Sequence, residues 1–254
     1  MAFAPLSILP RDTSQRVEEH TAWHGRGIRA VGFIASRSFG ALWAGIGLAH
    51  LVIFLVALFA GLLYSVVNPP ITSLMIERHI AYHVRIHLVR FIPLSQIPKS
   101  VQTMFVRVEN RTFYTNPGID IAAIKYAWEL DRRLGYWALG GSTITQQLTR
   151  SLLLSTNKSF GRKYVEALMS LTINLVMSKQ RQLELYLNYI EWGKGIFGIQ
   201  TAAYAQYGKP LSQLTTDQII RLAVIISSPW RYNVNDFFSN KGMVERYHLL
   251  WSIQ

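Results

Sequence analysis

Between Ala41 and Val67 the chain reads ALWAGIGLAHLVIFLVALFAGLLYSVV without one Asp, Glu, Lys or Arg. A bilayer core of about 30 Å is crossed by roughly 20 apolar residues in a helix, so a run of this length reads as a membrane span. It is too long for the apolar part of a signal peptide, and no small-residue cleavage pattern precedes Asn68-Pro69-Pro70, which predicts an uncleaved anchor. The two prolines stop the helix where the chain leaves lipid. Three domains follow: a cytoplasmic tail over 1–38 with no sustained apolar period, the anchor over 39–67, and a domain over 68–254. Arg26, Arg29 and Arg37 before the span, against a mixed flank after it, put the N-terminus inside and the large domain outside. His50 within the run is either a proton relay or, with more weight, a weakly polar residue turned to a partner helix.

Charge then narrows the partners. With 26 Lys+Arg against 14 Asp+Glu the chain carries +12, which suits polyanions such as anionic lipid or phosphorylated substrates. Nucleic acid is the weakest of these, because the basic residues lie beyond a membrane span. Cys is absent, so neither a disulfide frame nor a Cys-ligated metal is available.

The domain after Asn68 reads as all-α. Val101, Met104, Phe105 and Val108 share one helical face, and Asn116-Pro117-Gly118 is a turn, so Glu109 falls where a packed helix meets a loop. In GGSTITQQLTR, over 140–150, the two glycines suit a helix end after YWAL, and Thr143 with Gln146 forms a capping box that starts the next helix. An exposed helix start with Arg150 nearby is a candidate anion site; an ordinary capped helix is the equal alternative. Farther on, Val165, Leu168, Met169, Thr172 and Val176 mark a packed side, while Arg162, Glu166, Ser170 and Asn174 form a polar ridge, either solvated surface or the floor of a cleft. In QRQLELYLNYI, Leu183, Tyr186, Leu187 and Ile190 face inward, and Glu184 and Asn188 share a polar side.

Taken in order, NPPITSLMI, VENRTFYTNPGID, GGSTITQQL, RKYVEA and SKQRQLELYLNYIEWGKGIFGIQTAA resemble glycosyltransferase family 51, the peptidoglycan glycosyltransferases. The resemblance covers most of the chain after Pro69. It implies a lysozyme-like helical domain with a small membrane-associated lobe. The implied reaction polymerises lipid II into β-1,4 glycan at the outer face of the bacterial cytoplasmic membrane. By the same resemblance Glu109 is the general base and Glu166 assists at the donor. Gln146, Arg150, Lys158, Arg162 and Lys163, with Ser142 and Thr143, would hold diphosphate and sugar, and Asn110, Asn116, Gly118, Glu184 and Asn188 would support them. No cofactor or resident metal is required, although a divalent Mg or Mn ion fits a diphosphate. Implied partners are lipid II, the growing lipid-linked glycan, membrane lipid and other wall-synthesis or division proteins.

Departures from that family pattern set the alternatives. Asn110 stands where the family usually has Asp, Asn116 where it has His, Gln206-Tyr207-Gly208 replaces Tyr-Phe-Gly, and Ser228-Pro229 replaces Asn-Pro. A non-catalytic precursor-binding or wall-enzyme-binding protein is therefore one rival, and a lysozyme-like hydrolase working with two carboxylates is another. Tyr126, Trp128, Tyr136 and Trp137 suggest either a lipid-facing aromatic patch or ordinary packing.

Overall fold

The computed structural model describes residues 13–135 and 140–252, with side chains from Gly40 onward except Leu134. Contacts divide the chain into two units, Met1–Val52 and Ile53–Gln254. Helix α1 (Thr13–Val66) makes up the described part of the first unit and continues into the second. Helix therefore begins well before Ala41, in a stretch expected to lack regular structure. No proline lies between Thr13 and Val66, so a helix nucleated in the apolar run extends backward at small cost per residue. Its apolar part, Gly40–Val66, is long enough to cross a membrane. His50 Nδ1 lies 2.7 Å from the carbonyl of Ile46, one turn back on its own helix.

Among the described residues the second unit is all-α, apart from one two-stranded ribbon. Its helices are α2 (Ser73–Tyr82), α3 (Lys99–Glu109), α4 (Ile121–Leu134), α5 (Ile144–Leu153) and α6 (Phe160–Val176). They continue as α7 (Lys179–Tyr189), α8 (Ile199–Tyr207), α9 (Thr216–Ile225) and α10 (Lys241–Ser252). Strands β1 (Glu191–Gly193) and β2 (Ile196–Phe197) pair antiparallel between α7 and α8. The last turns of α1 join this unit: Ala57 and Ala60 are buried, and Ser65 Oγ donates to the carbonyl of Val176 at 3.3 Å. Phe59 and Leu62 on the same helix stay exposed.

Two apolar clusters hold the unit together. One joins α3, α7, β1, α8, α9 and α10 through Phe105, Tyr186, Trp192, Ala202, Leu222 and Leu250. The other joins α2, α5, α6 and α7 through Leu74, Leu148, Ile173 and Leu185. Helix α7 contributes to both, and Gln182 through Tyr189, Glu184 apart, are buried. Burial of its polar side chains is affordable because each is bonded. Gln182 accepts from Thr145 Oγ1 at 2.7 Å and donates to the Met177 carbonyl at 2.7 Å. Asn188 bonds both backbone groups of Ile92 at 2.9 Å, and Glu184 accepts from the Leu94 amide at 2.7 Å. The pair therefore fastens the segment leading into α3. The ribbon carries the other close approach: Gly195 has φ +73°, and a Cβ there would lie 2.3 Å from the Arg85 carbonyl. Its own carbonyl accepts from the His87 amide at 3.0 Å.

Helix α4 ends at Leu134, with Gly135 capping it in the left-handed region. The helix end expected after YWAL, over 136–139, lies outside the described residues. Tyr136 and Trp137 lie outside the described residues. Tyr126 and Trp128 on α4 are exposed, with the Arg132 guanidinium 5.7 Å from the Trp128 ring.

Candidate active site

Glu109 is the last residue of α3, and its side chain is 14% exposed. Gln147 Nε2 donates to its Oε2 at 3.0 Å, and Arg246 of α10 pairs with its Oε1. Tyr186 Oη in turn donates to Gln147 Oε1 at 3.2 Å, fixing which end of that amide meets the carboxylate. An ionised carboxyl has about four lone-pair sites, so two remain for a substrate hydroxyl. Burial first, then the nearby Glu109 charge, holds the Tyr186 phenol well above its ordinary pKa, so it stays a donor.

What positions Glu109 is a closed circuit of hydrogen bonds. Asn110 caps α3, and its Oδ1 accepts from Asn116 Nδ2 at 2.8 Å. Asn116 Oδ1 accepts from the Gly118 amide at 2.9 Å, and the Gly118 carbonyl accepts from Thr143 Oγ1 at 2.6 Å. Thr143 is the N-cap of α5, the helix that brings Gln147 back to Glu109. The two departures from the family pattern thus bond to each other, and both are buried. Gly118 has φ +105°, and a Cβ there would fall 2.6 Å from the Ser170 carbonyl, so neither the conformation nor the space admits another residue. Thr112 extends the network: it accepts from Asn110 Nδ2 at 2.9 Å and donates to Asp120 at 2.5 Å, a bond that lowers the Asp120 pKa.

The capping box read from Thr143 and Gln146 is present, with Gln146 Oε1 accepting from the Thr143 amide at 3.0 Å. Each is 1% exposed, with Gln146 Oε1 and Thr143 Oγ1 serving the helix start, while Gln147, the second glutamine, meets the carboxylate.

Glu166 forms the second cluster. Its side chain is fully buried, with one oxygen 2.6 Å from Arg162 Nη1 and the other paired with Lys163. Lys163 Nζ also donates to Ser142 Oγ at 2.8 Å, reaching back to the loop before α5. Ser170 Oγ, one turn past Glu166, donates to Thr149 Oγ1 at 3.1 Å. Glu166 and Ser170 of the polar ridge of α6 are therefore buried together with Met169 and Thr172 of the expected packed face, while Arg162 and Asn174 of the ridge, like Val165, Leu168 and Val176 of that face, are only partly covered. Burial, opposed by Glu166, pulls the Lys163 pKa below its usual value; Arg150 and Arg162 act in the same direction as burial. Arg150 thus stands within electrostatic reach of Lys163 on one side and Tyr186 on the other. Lys158 is exposed on the loop between α5 and α6.

Helix α5 therefore sits between two acidic centres, with Gln147 bonded to Glu109, and Arg150 within electrostatic reach of Lys163, the partner of Glu166. Sequence reading missed Gln147, Tyr186 and Arg246. Tyr186 reads only as a packed residue, and Arg246 is separated from Glu109 by most of the domain, with no local pattern to betray it.

Lys179, at the start of α7, braces the same loop. Its ammonium lies 4.9 Å from the Phe113 ring centroid and 3.4 Å from Asn116 Oδ1, and burial lowers its pKa to about 8. Between about 8 and its usual value the unfolded chain holds a proton that the folded chain lacks, so this residue's contribution to stability rises with pH across that window. The melting temperature of the protein relative to Lys179→Met is expected to increase from pH 8 to pH 10; a pH-independent difference would contradict it.

A family model described as Transglycosylase matches residues 80–251. A biosynthetic peptidoglycan transglycosylase of Burkholderia vietnamiensis is 37% identical over 195 residues, covering 75% of this chain and 78% of that protein. Its counterpart in Burkholderia ambifaria is 37% identical over 196 residues, and the one in Burkholderia multivorans is 40% identical over 140 residues, 55% of this chain and 57% of that protein. A match over most of the domain establishes that the chain belongs to the peptidoglycan transglycosylase family and is a peptidoglycan glycosyltransferase.

Proposed function

We propose that the chain polymerises lipid II into β-1,4 glycan at the outer face of the cytoplasmic membrane, with inversion at the anomeric carbon. Glu109 takes the proton from the acceptor's sugar 4-hydroxyl as that oxygen bonds to the donor's anomeric carbon. The bond from that carbon to the lipid diphosphate breaks, and the departing diphosphate keeps the electron pair. Attack from the side opposite the leaving group converts an α-linked donor into a β-linked product. Arg150, Lys158, Arg162 and Lys163 neutralise the diphosphate, and Glu166 holds the last two in place. The observation that carries this reading is the arrangement around α5: one glutamate bonded through Gln147, the other bonded to two cations.

A Mg or Mn ion, where one takes part, would arrive with the diphosphate. The apolar part of α1 anchors the domain, with Arg26, Arg29 and Arg37 inside, and keeps the site near a substrate that cannot leave the bilayer, which raises its effective concentration. The exposed aromatic residues of α4 rest on lipid as the membrane-associated lobe. Purified protein given lipid-linked disaccharide-peptide should yield glycan whose new linkages are β by NMR. No polymer from folded protein would reject the assignment, α linkages would reject inversion, and shortening of added glycan would favour hydrolysis.

A further inference from the structure

The segment between the end of α1 and the start of α3 takes no part in the chemistry above, yet it encloses an open groove of about 900 Å³. That is within the range of small-molecule sites. Its walls are Asn68–Ile71, one side of α2, and the extended chain over 83–89. Ile76, Ile80 and Leu88 form an apolar floor and are 43%, 67% and 89% exposed. Around them stand His79, His83, His87 and Arg85, and the lining contains no Asp or Glu. Glu77, the acid on α2, and Glu191, which reaches α2 from β1, are engaged elsewhere. Glu77 accepts from the Thr156 amide at 2.8 Å, and Glu191 pairs with Arg78 at 2.9 Å. His83 closes α2 in the left-handed region at φ +52°, turning the chain so that 84–89 runs back along the groove.

We infer that this groove seats one anionic phospholipid of the bilayer, with an acyl chain along Ile76, Ile80 and Leu88 and the phosphate at Arg85 and the histidines. Two observations select that occupant. The groove begins at Asn68, directly after the span, and so opens at the depth of the headgroups; this rests on reading Gly40–Val66 as a span. Its rim carries the Arg85 guanidinium and three imidazoles without a carboxylate, so it complements a phosphate but offers no partner to the ammonium of a zwitterionic headgroup. The substrate's diphosphate has its own cations, beyond the α2 side from which Glu77 grips Thr156 and the loop of Lys158. A lipid in the groove would therefore bear on α2 and, through Glu77, on that loop.

Native mass spectrometry of the full chain in detergent doped with phosphatidylglycerol or phosphatidylcholine tests this. We expect one retained phosphatidylglycerol per chain, at least tenfold favoured over phosphatidylcholine. Retention should fall at least fivefold in Arg85→Gln/His87→Gln and, independently, in Ile80→Ser, with melting temperatures confirming that each is folded. Equal retention of both lipids, or unchanged retention in the variants, overturns the proposal. So does displacement of phosphatidylglycerol by a stoichiometric polyprenyl phosphate, which would make the groove part of the substrate path. Lipid counting does not involve turnover, so its failure is separate from failure of the polymerase reading; flotation with vesicles reports on the span itself.

Discussion

Glu109→Gln is expected to lower glycan polymerisation by roughly 10²- to 10⁴-fold, the usual contribution of a positioned general base. The substitution keeps the size of the side chain and an oxygen that can accept from Arg246, but the amide cannot take up a proton. Because Glu109 and Arg246 are both partly exposed, with side chains 14% and 23% accessible, the change in folding stability should stay within about 1 kcal/mol. Binding of the lipid-linked precursor should persist. Polymerisation assays with matched thermal melts would decide the matter: activity within tenfold of the parent protein would mean that another group removes the proton.

Glu166→Gln should act on stability and rate together. Glu166 is the fully buried centre of a three-charge cluster, and removing one member of such a cluster leaves uncompensated charge at a cost of about 3–5 kcal/mol. At roughly 2–4 °C per kcal/mol for a domain of this size, a fall in melting temperature of about 6 °C or more follows. Arg162, Lys163 and Arg150 would then repel one another without their anchor, so the diphosphate site should loosen and turnover should fall. Adding Lys163→Met to Glu166→Gln relieves part of that repulsion and should recover stability without recovering turnover. A single variant that melts within 2 °C of the parent protein would show that the cluster is not held by this carboxylate.

Much of this arrangement is legible in the sequence where its cause is local. Helix α3 and the place of Glu109 at its end follow from Val101, Met104, Phe105 and Val108 on one face. The start of α5 follows from the Thr143–Gln146 box, and the inward face of α7 from Leu183, Tyr186, Leu187 and Ile190. The rest is decided by tertiary packing. Glu166 and Ser170 on the polar ridge of α6 are buried because Arg162, Lys163 and Thr149 supply their partners, so periodicity alone leaves solvated surface and cleft floor as equal readings. Gln146 and Gln147 are adjacent and chemically identical, and only the register of α5 decides which one meets Glu109. Arg246 reaches the site from α10, and a contact across that separation leaves no short-range signature.

The mutual bond of Asn110 and Asn116 constrains how this site can change. At 7% and 8% exposure, neither amide has water to fall back on. An acid at 110 alone would introduce a negative charge opposite a neutral donor, and an imidazole at 116 alone would lose an amide that now both donates to Asn110 and accepts from Gly118. A single change at either position is therefore expected to cost stability, so the two positions are expected to change as a unit.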